Sequence, residues 1–180
     1  MPTADRPAYL WFKAGLFALL ACNTAAYLIS GTLSEGLDSV AWLVLLLLFE
    51  METDFGWGAH GGWTAGAIRG SRLVAAAAVA AAAAGYVREQ EWLDAINVGF
   101  WIAIVIVLES QVRFPAIAVN HRTAYAAAAG LLYTGLGVLA MIWMWQGEWF
   151  DAYDALLWLA ALIVIEMNIL RGIAPKFTVR

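Results

Sequence analysis

The chain has 180 residues, of which 63% are hydrophobic and only 13% charged, and its formal net charge at pH 7 is −4. Soluble domains are nearer half apolar and a quarter charged, and a core of this size cannot hide the excess, so a water-soluble globule and a disordered chain are both excluded. The acidic balance leaves no basic surface for nucleic acid. The composition therefore predicts an all-α integral membrane protein in contact with the lipid bilayer, with residues 1–180 forming one transmembrane domain.

Six apolar segments are long enough to cross the hydrocarbon core of a bilayer, which takes about 20 helical residues. A loop rich in glycine and tryptophan at 55–63 separates the second segment from the third. Pro115 and Asn120 indicate another loop, between the fourth and the fifth. The six predicted transmembrane helices cover residues 9–31, 37–54, 70–88, 92–113, 123–146 and 151–171.

The first segment contains Cys22, the only cysteine, so an intramolecular disulfide and a thiolate metal cluster are excluded. The run Leu19-Leu20-Ala21-Cys22 also matches a bacterial lipoprotein cleavage site. Because this segment aligns with later segments of the chain, we predict instead that Cys22 is a buried residue of the first membrane helix.

Basic residues predict the orientation of the helices, because cytoplasmic loops are enriched in lysine and arginine. Arg88 is the one basic residue expected on the outer side. The remaining basic residues all fall on the other side: Arg6, Lys13, Arg69, Arg72, Arg113, Arg122, Arg171, Lys176 and Arg180. Both termini are therefore predicted to be cytoplasmic, and the short loops and alanine-rich composition favour a bacterial inner membrane.

An internal repeat relates the second, fourth and sixth segments. Each carries an acid, then an Asp or Asn, a Trp and a Glu at the same spacing. These positions are Glu35, Asp38, Trp42 and Glu50; Asp94, Asn97, Trp101 and Glu109; and Asp151, Asp154, Trp158 and Glu166. The repeat predicts three helical hairpins, at about 9–54, 70–113 and 123–171, related by a pseudo-threefold axis along the membrane normal.

Glu50, Glu109 and Glu166 are the candidate ion-binding residues. A carboxylate at the centre of a membrane span costs about 2.5–3.5 kcal/mol on insertion scales, and such a group is a functional candidate by default. Each glutamate is predicted about 18 Å from the outer start of its helix, on the inner-leaflet side, where this cost is smaller. Threefold symmetry would bring the three side chains to one level, where they would attract cations.

A structural interpretation of the same glutamates stays open. Lys13 lies 37 positions before Glu50, and Arg72 lies 37 positions before Glu109. Since the outer turn falls near the middle of each interval, a salt bridge is predicted across each of the first two hairpins. Arg113 is a further candidate partner for Glu109, one helical turn away. The third hairpin has Ala129 at the basic position.

The outer acids also allow two interpretations. They are helix caps that favour the positive end of the helix dipole, or they are an acidic mouth that collects cations. The residues concerned are Glu35, Asp38, Asp94, Asp151 and Asp154.

No nucleophile–base pair, nucleotide-binding loop or zinc motif is present in the sequence, so we expect no enzyme activity, no metal and no cofactor. Two functions remain open. The chain is a cation or proton channel or transporter that uses the three glutamates, with Lys13 and Arg72 as gating partners. Alternatively, it is a non-catalytic accessory or scaffold subunit of a larger membrane complex. A homo-oligomer is compatible with both.

Overall fold

The computed structural model describes residues 5–53 and 62–173, so the predicted loop at 55–63 lies almost wholly outside the described residues. Within them the side chains of residues 5–9, 53, 112, 115 and 164–173 are also not described. The described residues form seven helices: α1 (Asp5–Ser30), α2 (Leu33–Thr53), α3 (Trp63–Glu89), α4 (Trp92–Arg113), α5 (Pro115–Asn120), α6 (Arg122–Gln146) and α7 (Trp149–Ile173).

The six long helices coincide with the six predicted segments, and the short helix α5 stands where a loop was predicted. Among the described residues, four helices are long and apolar enough to cross a membrane: α1, α3, α4 and α6. In α2, acidic residues near both ends leave too short an apolar stretch between them to meet the same criterion. The protein is therefore all-helical, with four candidate membrane-spanning helices.

Each long hairpin turns through only two residues. These turns are Gly31-Thr32 between α1 and α2, Gln90-Glu91 between α3 and α4, and Gly147-Glu148 between α6 and α7. A two-residue link forces the flanking helices to run antiparallel and in contact. We call the end of each hairpin that carries its turn the turn end, and the opposite end the open end.

The second and third hairpins close in the same way. The backbone N–H of Glu91 donates to the carbonyl of Tyr86, and that of Glu148 donates to the carbonyl of Trp143, each at 2.9 Å. The preceding residue adopts a left-handed conformation in both turns, with a φ of 64° at Gln90 and 87° at the glycine of the third hairpin. These are the features of a Schellman-type helix end, in which the last free carbonyls are satisfied by the turn itself.

Packing divides the chain into two compact units, Met1–Pro115 and Ala116–Arg180. In the first unit, α2 packs against α1 and α3, and α3 also packs against α4. In the second unit, α6 packs against α7. Each unit is thus built from helices that are neighbours in sequence.

Helix α3 is central to the first unit because a narrow stripe of its residues is buried. Ala75, Val79, Ala82 and Tyr86 follow one another at spacings of four, three and four, which places them on one helix face. Val79, Ala82 and Tyr86 pack in one cluster with Ala41 of α2 and Val98 of α4. Small side chains on α3 let its neighbours approach closely. The rings of Trp42 in α2 and Trp101 in α4 accordingly lie 6.1 Å apart between centroids.

The aligned positions of the repeat fall at equal distances from the starts of α2, α4 and α7. The acid is the third residue of each helix, the Asp or Asn the sixth, the Trp the tenth and the Glu the eighteenth. The sequence spacing therefore corresponds to a common position along three helices.

Cys22 lies in the middle of α1, as predicted, but its side chain is exposed. The prediction that it is buried is therefore wrong. The neighbouring polar residues Asn23 and Thr24 are the buried ones. They turn toward the packed face of α1, and Thr24 donates a hydrogen bond to the carbonyl of Leu20 at 2.9 Å.

Candidate functional site

Lys13 and Glu50 meet at the open end of the first hairpin. The Lys13 ammonium and the Glu50 carboxylate form an ion pair between α1 and α2. Both side chains are largely buried, with 12% and 13% of their surface exposed. The structure thus brings together the two residues that the spacing of 37 positions places at one level.

Arg72 takes a partner that the sequence analysis did not name. It pairs with Glu52 of α2, so the prediction of an Arg72–Glu109 bridge is wrong. The reason is geometric. Arg72 lies three residues before Ala75 on the buried stripe of α3, and this face packs against α2. Spacing along the chain fixed the height of Arg72 but not the direction in which its side chain points.

Glu109 pairs within its own helix. The Arg113 Nε donates to the Glu109 Oε1 at 2.7 Å, one turn further along α4. The side chains remain 70% and 56% exposed. An exposed pair of this kind contributes about 0–1 kcal/mol, so it neutralises Glu109 without holding two helices together.

The third glutamate, Glu166, is the eighteenth residue of α7, and its side chain lies outside the described part of the structure. The acids Asp151 and Asp154 occupy the third and sixth positions of the same helix. Their positions match those of the corresponding acids in α2 and α4.

At the turn end, helix capping is done by residues other than Asp38. The Thr32 N–H donates to the Glu35 carboxylate, and the Glu35 N–H donates to the Thr32 hydroxyl at 3.2 Å. This reciprocal arrangement is a capping box. Asp38 and Asp154 are the sixth residues of their helices and lie too far inside to cap, so the prediction that they do is wrong. Asp94 lies in the first turn of α4, where an acid is favourable to the helix dipole.

A second polar contact joins α2 and α3 at the turn end. The Ser34 hydroxyl donates to the Glu89 carboxylate at 2.7 Å. Gly85 makes this approach possible, since a Cβ there would lie 2.1 Å from the Ser34 Oγ. None of these contacts was predicted from the sequence, although a glycine at the end of a long alanine run is typical of close helix packing.

Acidic groups gather around Tyr86, which is only 4% exposed. The carboxylates within electrostatic reach of its side chain are those of Asp38, Asp94, Glu35 and Glu89. No group of three or more His, Cys, Asp or Glu side chains suited to a metal ion occurs among the described residues.

No known protein family, curated protein or solved structure matches this chain. The class of protein to which the chain belongs is therefore defined by its own fold and contacts. It is an all-helical protein with helices suited to a membrane, in which Glu50, Glu52 and Glu109 are each joined to a basic side chain.

Proposed function

We propose that the chain is a non-catalytic scaffold subunit of a larger complex in a bacterial inner membrane. In this proposal all six long helices cross the bilayer, as three hairpins around a pseudo-threefold axis, and both termini are cytoplasmic. The equal positions of the repeated residues along α2, α4 and α7 support the threefold arrangement. The basic residues near the open ends support the orientation.

The observation that carries the scaffold function is the buried Lys13–Glu50 pair. A carboxylate that binds a permeant cation must exchange its ligand, whereas Glu50 is joined to a lysine of the neighbouring helix and both groups are mostly withdrawn from solvent. Breaking a buried pair leaves an uncompensated charge and costs about 3–5 kcal/mol. Such a pair holds a hairpin closed, which is the property that a rigid scaffold needs.

The surface of the helices is consistent with this function. Large apolar side chains are widely exposed in both units, including Ile29 at 86%, Trp63 at 88% and Trp145 at 93%. Exposed apolar side chains of this kind are suited to lipid or to the helices of a partner subunit.

Cation or proton conduction is the second candidate, and a different observation favours it. The Nε1 of Trp42 and the Oδ1 of Asn97 are buried, and neither has a hydrogen-bond partner among the described residues. They occupy the tenth position of α2 and the sixth of α4, between the turn-end acids and the glutamates. Buried polar atoms normally find partners, and a hydrated path along these helices would supply them.

Proteoliposomes separate the two functions. We expect purified wild-type protein to move neither protons nor monovalent cations above the level of empty liposomes, under either polarity of membrane potential. Glu50→Gln, Glu109→Gln and Glu166→Gln are compared in the same assay. Flux that is lost in Glu166→Gln but retained in the equally stable Glu109→Gln would establish conduction and refute the scaffold function.

Gentle solubilisation from the native membrane supplies the positive test. The scaffold function predicts that the chain migrates with the same partner subunits, in fixed proportion, across several mild detergents. A monomer or homo-oligomer without partners, isolated under all of these conditions, would contradict it.

A further inference from the structure

Most basic side chains at the open end of the first unit are used in ion pairs. Lys13, Arg72 and Arg113 each contact a glutamate. Arg69 is different, because it is exposed on α3 and none of the described residues forms an ion pair with it. Arg122, at the open end of the second unit, is also exposed and unpaired among the described residues. Neither guanidinium group therefore forms an ion pair within the described part of the protein.

Arg69 stands among side chains that suit the boundary between lipid and water. Trp63, the first residue of α3, is 88% exposed. Ile68 is buried, whereas Arg69, the next residue of α3, is exposed. Tryptophan is enriched at headgroup level because its ring is amphipathic. The first two turns of α3 thus combine an interfacial aromatic group with a free positive charge.

Arg122 has a comparable setting in the second unit. It follows the exposed His121, and the exposed apolar side chains of Ile117 (51%) and Val119 (76%) lie on the short helix just before it. Arg122 is also the first residue of α6, where the helix dipole disfavours a cation. Its charge therefore does not stabilise its own helix.

We propose that Arg69 and Arg122 each bind the phosphate group of an anionic phospholipid, at two separate sites. A guanidinium group donates two parallel hydrogen bonds to phosphate oxygens, and basic residues near a membrane surface are attracted to anionic lipid. Trp63 at one site, and Ile117 with Val119 at the other, enter the adjoining acyl region. Zwitterionic lipid is bound more weakly, because its headgroup carries no net charge.

The test measures lipid retention by the full chain in mild detergent. Phosphatidylglycerol or phosphatidylcholine is added in equal amounts, and the bound lipids are counted by native mass spectrometry. We expect Arg69→Gln and Arg122→Gln each to weaken phosphatidylglycerol binding about fivefold, the double variant to lose both tight sites, and phosphatidylcholine binding not to change.

Arg88 provides the matched control, because it is an exposed arginine on α3 at the turn end. Arg88→Gln removes the same charge and should retain phosphatidylglycerol as the wild type does. The proposal is overturned if Arg88→Gln reduces binding as much as the other two variants, or if the double variant retains phosphatidylglycerol fully. Displacement of the lipid by millimolar inorganic phosphate at constant ionic strength would mean a general anion site and also overturn it.

Arg69→Lys and Arg122→Lys keep the test decisive if a glutamine variant does not fold. Lysine retains the charge but not the paired hydrogen bonds of the guanidinium group. We expect partial retention of phosphatidylglycerol, between the wild type and the glutamine variants. Wild-type retention in the lysine variants would contradict recognition by paired hydrogen bonds.

Discussion

At the scale of single residues, sequence spacing predicts the height of a side chain along a hairpin, as the Lys13–Glu50 pair shows. In a hairpin with a short turn, two positions equidistant from the turn lie at one height, so their pairing could be foreseen. The same spacing misassigned Arg72, whose direction is set by the packing of α3 against α2. Its partner Glu52 was not predicted either, because in the sequence it is an ordinary charged residue near the end of a helix.

Lys13→Met should destabilise the protein strongly. It leaves the largely buried Glu50 carboxylate without a cation, at an expected cost of about 3 kcal/mol. The midpoint of thermal unfolding in detergent, followed by circular dichroism, measures the change. The double variant Lys13→Met/Glu50→Leu should recover most of the lost stability, because it removes the orphaned charge. An unchanged midpoint for the single variant would show that the pair contributes nothing.

Glu109→Gln should have a small effect by comparison. The Glu109–Arg113 pair is exposed and lies within one helix, so we expect its loss to lower the free energy of unfolding by less than about 1 kcal/mol. Parallel unfolding of Glu50→Gln and Glu109→Gln ranks the two sites. A larger loss in Glu109→Gln would mean that this carboxylate has a second, structural partner.

At the scale of helices, the long elements were foreseen because apolar runs and glycine breaks are local properties. Helix α5 was not, since Pro115 was expected to keep the chain in a loop. Proline is nevertheless well accepted as the first residue of a helix, where its missing N–H is not needed. The α2–α3 contact also escaped prediction, because it depends on which faces of two helices meet.

Gly85→Ala tests that contact. The added methyl group would collide with the Ser34 hydroxyl, so we expect α2 and α3 to separate locally, the Ser34–Glu89 hydrogen bond to break, and stability to fall by about 1–3 kcal/mol. Thermal unfolding in detergent measures the loss. Gly99→Ala is the control, because nothing would lie within 4 Å of the added Cβ. It should be neutral or slightly stabilising, as glycine is unfavourable within a helix.

A rescue variant tests whether the loss of stability in Gly85→Ala comes from the collision with Ser34. Adding Ser34→Gly removes the side chain that the new methyl group would strike. Partial recovery of stability in the double variant is expected. Equal losses in Gly85→Ala and Gly99→Ala would show that helix packing at this position is not tight.

At the scale of the whole molecule, the repeat predicted the order of the helices along the chain but not which helices pack together. The acids, tryptophans and glutamates stand at equal positions along α2, α4 and α7, because all three helices begin at the same point of the repeat. Which helices pack together depends instead on side chains that differ between the copies of the repeat. Ser34, Arg72 and Glu89 link α2 to α3, while their counterparts one repeat later are Leu93, Ala129 and Gln146. The positions shared by the three copies therefore could not predict these contacts, because the contacts are made by residues that differ between the copies.

Labelling of single cysteines tests the six crossings. In a Cys22→Ala background, Thr32→Cys and Gln90→Cys should both react with a membrane-impermeant maleimide from one side of the membrane. His121→Cys should react from the other side. If α2 does not cross, Thr32→Cys and Gln90→Cys will label from opposite sides, which would refute the six-span proposal.

The two-residue turns also bear on how the chain enters a membrane during synthesis. A link of two residues spans no more than about 7 Å, far less than the thickness of a bilayer. The ends of the two helices that the turn joins must therefore lie at the same membrane surface. In the proposed six-span arrangement, the acidic tips of the hairpins, with Glu35, Asp94 and Asp151, are carried across by the two helices that flank them. Under the same proposal, each hairpin enters the bilayer as a unit, after both of its helices have been synthesised.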